Sequence, residues 1–139
     1  MIDSFSHLNY KNPSIEGRYL PWTDLKQITE RWDSFVIKDL IGVSVNGNSI
    51  PVYRFGFGNK TILMWSQMHG NESTTTKGLI DFIGFLNTDS ETSNKILNHC
   101  TLIVIPILNP DGASAYTRFN KNQVDLNRDF QDFSQPESV

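Results

Sequence analysis

The spacing of hydrophobic residues changes along the chain and predicts alternating strands and helices. Two continuous apolar runs, at about 61–66 and 101–108, are typical of strands buried on both faces of a sheet. Between them, apolar residues recur at helical spacing from Leu79 to Leu86. The order of strand, helix and strand predicts a crossover in which the two strands run parallel with a right-handed connection.

Local signals add detail to the helical part of this crossover. Gly78 and Gly84 lie inside the helical pattern, where a glycine costs roughly 1 kcal/mol, and this favours close packing of the helix against a sheet. Thr88 and Glu91 form a capping-box pattern, which predicts a second helix through about Leu97.

The residues before the crossover predict a helix and a hairpin. A short helix is expected at 24–32, with Thr23 as its N-cap. Strands are expected at about 36–45 and 49–56. An Asn-Gly pair at 46–47 separates them and favours a type I′ turn, because both central positions of that turn require positive φ.

Together these elements predict one α/β domain over residues 1–139. Its sheet is expected to be a partial mixed sheet in which an N-terminal hairpin joins the parallel crossover. This sheet is expected to be incomplete at the C-terminus. Residues 1–21 are expected to form an extended polar lead-in, and residues 130–139 a polar tail without a closing element.

Composition and charge exclude several classes of function. A net charge of −3 provides no basic surface for nucleic acid or an anionic membrane, and no apolar run approaches the roughly 20 residues that span a bilayer. The lone cysteine, Cys100, favours a reducing compartment. The first residues lack the basic and apolar regions of a secretory signal. We therefore expect a cytoplasmic protein, and the sequence indicates no partner protein.

His69 and Glu72 are the leading candidates for a metal site. They follow the first apolar run, and an Asn-Pro-Asp-Gly sequence at 109–112 follows the second, so both loops should share the sheet edge at which ligands bind. A histidine and a glutamate three residues apart can converge on one Zn²⁺ when their loop forms a helical turn. The alternative is that both residues cap the following helix, whose N-terminus favours a carboxylate.

A second polar loop carries Arg118, Asp125, Asn127 and Arg128 within a short span. Guanidinium groups bind carboxylates bidentately, so the two arginines suit an anionic substrate and a developing oxyanion. Taken alone, the loop is more consistent with a solvated surface held by structural salt bridges.

In combination, the motifs resemble the zinc carboxypeptidases of the carboxypeptidase A/B type from about Val36 to Phe130. The resemblance is carried by DLIGVSVNGNSIPVYRFG, then HGNE, then NPDG, and then the loop that ends in DLNR. It implies that the partial mixed sheet is of the zinc carboxypeptidase type. It also implies one Zn²⁺ ion and makes His69 and Glu72 the first two of its ligands.

The resemblance also implies roles for the second loop. Arg118 would polarise the scissile carbonyl and stabilise the oxyanion. Asn127 and Arg128 would hold the terminal carboxylate of a peptide, and Asp125 would accept a hydrogen bond from the free ring nitrogen of His69. The expected function is therefore a metallocarboxypeptidase that removes C-terminal residues from peptides.

The family also needs a second histidine as third ligand and a glutamate as general base, and the resemblance places both further along the family's chain than this sequence reaches. His99 and Cys100 start the second apolar strand, roughly 25 Å from the catalytic edge, and His7 has no supporting context. For the base, Asp111 and Glu137 are carboxylates without support. We therefore expect the N-terminal portion of a longer enzyme, which is catalytic only in its full-length form.

Two other functions stay open. N-acyl amino-acid deacylases of the aspartoacylase or succinylglutamate desuccinylase type share the HGNE and DLNR elements and bind a substrate carboxylate, although the intact NPDG favours the peptidase. A non-catalytic module would instead keep the carboxylate grip of Asn127 and Arg128 without a metal.

Overall fold

The computed structural model describes residues 9–32 and 36–139, which contain five α-helices and four strands. The strands are β1 (Ile37–Val43), β2 (Ser49–Phe55), β3 (Lys60–Trp65) and β4 (Cys100–Ile105). The helices are α1 (Trp22–Thr29), α2 (Thr74–Leu86), α3 (Glu91–His99), α4 (Pro110–Ala115) and α5 (Leu126–Asp129), and a 3₁₀ turn at Glu30–Trp32 follows α1. No helix in these ranges is long and apolar enough to cross a membrane.

The four strands form one mixed sheet in the order β1–β2–β4–β3. Strand β2 is antiparallel to both β1 and β4. Strand β3 is parallel to β4, with Lys60 opposite Cys100 and Trp65 opposite Ile105. The predicted mixed α/β fold, in which a hairpin joins a parallel crossover, is therefore confirmed.

The core lies between one face of the central strands and the first two helices. Most of its buried side chains come from alternate positions of β2 and β4 and from α1 and α2, among them Tyr53, Phe55, Leu102, Val104, Leu25, Ile28, Leu79, Ile80, Ile83 and Leu86. Alternate positions of a strand share one face, and burying each aliphatic side chain contributes about 1.5–3 kcal/mol. This burial fixes the register of the sheet and so determines where the loops after β3 and β4 leave it.

The expectation that β3 is buried on both faces is wrong. This strand lies at the end of the described sheet and pairs there with β4, and Ile62, Leu63 and Trp65 are 43%, 54% and 48% exposed. A continuous apolar run predicts a strand correctly, but it does not distinguish a central position from an edge position.

The hairpin turn also differs from its prediction. Gly47 has a φ of +78°, whereas Asn46 does not have positive φ, so the turn is not of type I′. The Gly47 amide donates to the Ser44 carbonyl (2.8 Å), and the Ser44 amide donates to the Asn48 carbonyl (2.8 Å). The longer loop needs only one left-handed residue, and glycine supplies it without steric cost.

Both predicted helix caps lie elsewhere. Helix α1 begins at Trp22, with Pro21 rather than Thr23 at the N-cap position. The N-cap of α3 is Ser90, whose hydroxyl oxygen accepts from the Ser93 amide (3.1 Å). Thr88 cannot cap α3 in this way because its hydroxyl donates back to the Phe85 carbonyl at the end of α2 (2.7 Å).

The two glycines of α2 have different surroundings, and neither is explained by packing on the sheet. A Cβ on Gly84 would lie 2.7 Å from the carbonyl oxygen of Tyr10. The absence of a side chain at this position therefore leaves space for the backbone of the lead-in. The described lead-in packs on α2 here, with the Asn12 amide donating to Asp81 Oδ1 (2.8 Å). A Cβ on Gly78 would meet nothing within 4 Å.

Replacing Gly78 with alanine is expected to stabilise the protein. Alanine is more favourable than glycine inside a helix by about 1 kcal/mol, and the added methyl group meets no neighbour. Urea unfolding should show this increase in the free energy of unfolding. Gly84→Ala should shift it in the opposite direction, and a loss of stability in Gly78→Ala would contradict the open surroundings of this position.

The polar residues at the C-terminal end are docked on the domain. Asp129 accepts hydrogen bonds from the hydroxyls of Ser134 and Ser138 and from the Gln135 amide (2.9 Å). Glu137 is buried and accepts from the Val45 amide (3.2 Å). Nothing in the polar pattern of residues 130–139 indicates these contacts.

The hydrogen bonds to Asp129 make the tail sensitive to acid. The hydrogen bond from Ser134 lowers the pKa of Asp129 most, and the one from Ser138 lowers it next. Burial raises this pKa by less, so it stays below its usual value. A carboxyl whose pKa is lower in the folded state than in the unfolded state, where it is about 4, stabilises the protein at pH values above the unfolded pKa. This stabilisation is lost as the pH falls through the folded-state pKa. In urea unfolding, Asp129→Asn should therefore be less stable than the wild type at pH 7, and the difference should narrow towards pH 3. The exposed Asp132→Asn is the control, and a constant difference for Asp129→Asn would contradict this account.

Candidate metal centre

The loops that follow β3 and β4 meet at one edge of the sheet, as the crossover predicts. Backbone hydrogen bonds continue beyond the strands, with the Leu108 amide donating to the Ser66 carbonyl (3.0 Å). The Asn109 side-chain amide donates to the Met68 carbonyl (3.1 Å). At Gly70 the backbones come so close that a Cβ would lie 1.9 Å from the Gly112 carbonyl carbon.

His69 and Glu72 face each other across a tight turn. The Glu72 amide donates to the His69 carbonyl (3.0 Å), and His69 Nδ1 lies 3.2 Å from Glu72 Oε1. The His69 side chain is 12% exposed and that of Glu72 is 60% exposed. The N-cap residue of α2 is Ser73 rather than either member of this pair.

Asp125 holds the other side of the imidazole. Its Oδ1 lies 3.0 Å from His69 Nε2, and its Oδ2 accepts from Arg118 Nε (3.1 Å). The Asn127 amide also donates to Oδ1 (3.0 Å), with Asp125 as the N-cap of α5. Burial raises the pKa of Asp125, but the hydrogen bonds from His69, Arg118 and Asn127 lower it by more, so the carboxyl is ionised.

The ionised Asp125 determines which nitrogen of His69 is available to a metal. A carboxylate only accepts hydrogen bonds, so Nε2 carries the proton in this contact. In the neutral imidazole, Nδ1 then presents a lone pair towards Glu72. Two lone-pair donors 3.2 Å apart are favourable only with a cation or a proton between them.

The spacing of the pair fits zinc. Two ligand atoms that each lie about 2.0–2.1 Å from one tetrahedral Zn²⁺ are separated by about 3.3–3.4 Å, and Nδ1 and Oε1 are 3.2 Å apart. Imidazole nitrogen and carboxylate oxygen are both zinc ligands. Within the described ranges, however, no group of three or more histidine, cysteine, aspartate or glutamate side chains could hold a metal.

Arg118 bridges the two carboxylates of the site. Its Nη1 lies 3.3 Å from Glu72 Oε1, while its Nε binds Asp125. The side chain is 40% exposed, so its guanidinium reaches both the site and solvent. Asn127 and Arg128 lie in α5 immediately after Asp125, with exposed side chains. The structure thus brings the side chains of four of the six predicted residues into direct contact and holds the other two residues in the adjacent helix.

The other candidate residues that the structure describes have their contacts away from this pair. His99 ends α3 and its Nδ1 contacts the Lys95 carbonyl (2.8 Å), and Cys100 begins β4 at the end opposite the site. His7 is outside the described residues. Asp111 is buried and binds the hairpin turn through the Ser44 hydroxyl (2.8 Å).

Comparison with known proteins gives one family. A family model described as zinc carboxypeptidase matches residues 23–138. Carboxypeptidase E of Caenorhabditis elegans is 30% identical in an alignment that covers 78% of this chain and 28% of that protein.

Solved structures show the same fold. A metallo-carboxypeptidase from Burkholderia cenocepacia superposes with a TM-score of 0.76 at 18% identity, over 86% of this chain and 36% of that one. A metallo-carboxypeptidase from Pseudomonas aeruginosa, in complex with (2-guanidinoethylmercapto)succinic acid, gives a TM-score of 0.73 at 23% identity, over 86% and 35%. The chain thus spans about a third of the length of these two structures.

Proposed function

This chain belongs to the zinc carboxypeptidase family, and from that premise we propose that it forms part of the catalytic domain of a metallocarboxypeptidase that removes C-terminal residues from peptides. The observation that supports this most is the pairing of His69 Nδ1 with Glu72 Oε1 at 3.2 Å. The spacing suits two ligands of one Zn²⁺ ion.

We propose that His69 and Glu72 hold the zinc. When bound, the ion would act as a Lewis acid and would lower the pKa of a water molecule bound to it. Asp125 keeps the proton on His69 Nε2 and so reserves Nδ1 for the metal. Arg118 donates to the oxyanion that develops on the scissile carbonyl. Its position beside Glu72, with 40% of the side chain exposed, supports this role.

Asn127 and Arg128 are proposed to bind the free carboxylate of the peptide. Arg128 is exposed in α5, the helix that begins directly after Asp125. A guanidinium can bind a carboxylate through two parallel hydrogen bonds. The structure of the Pseudomonas aeruginosa metallo-carboxypeptidase is a complex with a succinic acid derivative, which supports a carboxylate as the recognised group. An enzyme that binds this carboxylate recognises the C-terminal end of a peptide.

The third zinc ligand and the general base are proposed to come from outside these 139 residues. This is supported by the coverage of the relatives, since the chain corresponds to 28% of carboxypeptidase E of Caenorhabditis elegans and to about a third of the two solved structures. Activity is therefore expected of the longer protein rather than of this chain alone.

Removing the guanidinium of Arg128 tests the proposed function in the longest natural form of the protein. Losing a charge-assisted hydrogen bond to a carboxylate costs about 1.5–3 kcal/mol, so Arg128→Ala should lower kcat/KM for a peptide about 10- to 150-fold. Arg54→Ala, which changes an exposed arginine of β2, is the matched control.

The choice of substrate separates the alternatives. A peptide with a free C-terminus should be cleaved, and its C-terminal amide and an N-acyl amino acid should not. Cleavage of only the N-acyl amino acid would indicate a deacylase. Chelator-insensitive peptide binding without cleavage would indicate a non-catalytic module, and either result would overturn the proposal.

A further inference from the structure

We propose that Gln67 is a positioning residue for the zinc ligands, because its buried side-chain amide fixes the turn that carries His69 and Glu72. This inference rests on the proposed function, in which the turn carries two ligands of a Zn²⁺ ion. Gln67 does not touch either ligand side chain in the contacts described above, and it acts through the backbone between them.

The backbone of Gln67 has an uncommon conformation. Its φ is +48°, in the left-handed region that glycine, asparagine and aspartate adopt most readily. It is the second residue after β3, and its carbonyl accepts the Asn109 amide of the neighbouring loop (3.2 Å). Such a conformation persists only where the surroundings enforce it.

The side chain supplies that enforcement. It is 4% exposed, and its Nε2 donates to the carbonyls of Gly70 (2.8 Å) and Leu20 (3.1 Å). Its Oε1 accepts from the hydroxyl of Thr76 (2.8 Å), a fully buried residue of α2. One amide thus ties together the lead-in, the turn after β3 and the first turns of α2.

The contact with Gly70 links this network to the candidate ligands. Gly70 directly follows His69, and its carbonyl lies inside the turn that the Glu72 amide closes on the His69 carbonyl. Buried polar groups without partners are costly, and removing the Gln67 amide deprives the Gly70 carbonyl of this donor. The Thr76 hydroxyl keeps the Ser66 hydroxyl (2.7 Å) and the Pro106 carbonyl (3.3 Å) as partners. The turn then loses the contact that holds its inner side, and the spacing of Nδ1 and Oε1 is no longer fixed.

Gln67→Gly isolates the side chain from the backbone, because glycine adopts positive φ freely while the amide is lost. Gln123→Gly is a matched control, since Gln123 also has positive φ (+62°) but its side chain is exposed. Gln67→Glu is the second variant. It keeps the length and replaces the donating NH₂ with an oxygen that would face the carbonyls of Gly70 and Leu20.

The first readout is hydrogen exchange of the metal-free chain. The Glu72 amide should exchange at least about tenfold faster in Gln67→Gly and Gln67→Glu than in the wild type. An amide of β4 should remain unchanged, and Gln123→Gly should match the wild type. If Gln67→Gly fails to fold, Gln67→Glu decides the outcome, and unchanged Glu72 exchange in a folded variant would overturn the proposal.

The second readout is zinc affinity, measured well below the urea midpoint of each variant. Loss of a residue that orients metal ligands should weaken binding about 10- to 100-fold. A purely structural Gln67 would lower the urea midpoint but leave affinity within about twofold, which would overturn the inference while leaving the proposed function intact. Absence of His69-dependent zinc binding in the wild type would instead overturn the proposed function.

Discussion

Replacing His69 with alanine is expected to lower the zinc affinity of the chain at least about 100-fold, the upper end of what disturbing a metal site costs. The imidazole is one of two ligand groups that face each other at 3.2 Å, and its removal leaves the carboxylate of Glu72 with Arg118 as its charged neighbour. Competition with a chromophoric chelator measures the affinity of both forms.

His99→Ala is the matched control for this variant. His99 is an exposed histidine at the end of α3, and its ring contacts the Lys95 carbonyl rather than any residue of the site. Its replacement should leave zinc affinity unchanged. A loss of affinity in His99→Ala as large as that in His69→Ala would show that zinc binds surface histidines without preference for the predicted site.

Gly70→Ala is expected to lower the free energy of unfolding by about 3 kcal/mol or more, at the upper end of the cost of overpacking. The new Cβ would lie 1.9 Å from the Gly112 carbonyl carbon and 2.2 Å from the Ala113 amide nitrogen. Both are backbone atoms, so the two loops must separate to accommodate it. Zinc affinity should fall in the same variant, because the turn that carries His69 moves.

Gly78→Ala provides the comparison, since it adds the same methyl group where nothing lies within 4 Å. Urea unfolding of both variants therefore separates steric contact at the site from the general effect of losing a glycine. If Gly70→Ala unfolds at the wild-type urea concentration, the loops after β3 and β4 are not in the contact described here.

The sequence indicates the strand pairing more reliably than the burial. Parallel pairing of β3 with β4 follows from the helices between them, because a crossover is the connection that parallel strands require. Whether β3 lies inside or at the end of the sheet depends on which other strands pair with it. Ile62, Leu63 and Trp65 therefore read as core residues although they are about half exposed.

The candidate site is visible in the sequence only in part. The crossover predicts that the loop of His69 and the loop after β4 share an edge, and the family resemblance links Asp125 and Arg118 to them. Gln67 escapes prediction because one polar residue after an apolar run has no period and matches no motif. Its importance arises from three partners, the nearest three residues away and the farthest 47 residues away in the chain.

The docked tail escapes prediction for a similar reason. In the sequence, Ser134 and Ser138 are indistinguishable from other residues of a polar segment. Only in the folded protein do their hydroxyls donate to Asp129. Short-range signals fail in the caps as well, since Thr88 and Ser90 are both suitable N-cap residues. The choice between them depends on the preceding helix, whose last carbonyls attract the Thr88 hydroxyl.

The stoichiometry and affinity of zinc binding, measured by equilibrium dialysis with metal analysis on the purified 139-residue chain, test the central claim most directly. We expect one zinc per chain, bound with a Kd of about 1 µM or weaker because two ligands act without a third, and lost in His69→Ala. Tight binding with a Kd near 1 nM would contradict the proposal that the remaining ligand comes from outside this chain. Binding that persists unchanged in His69→Ala would contradict the site itself.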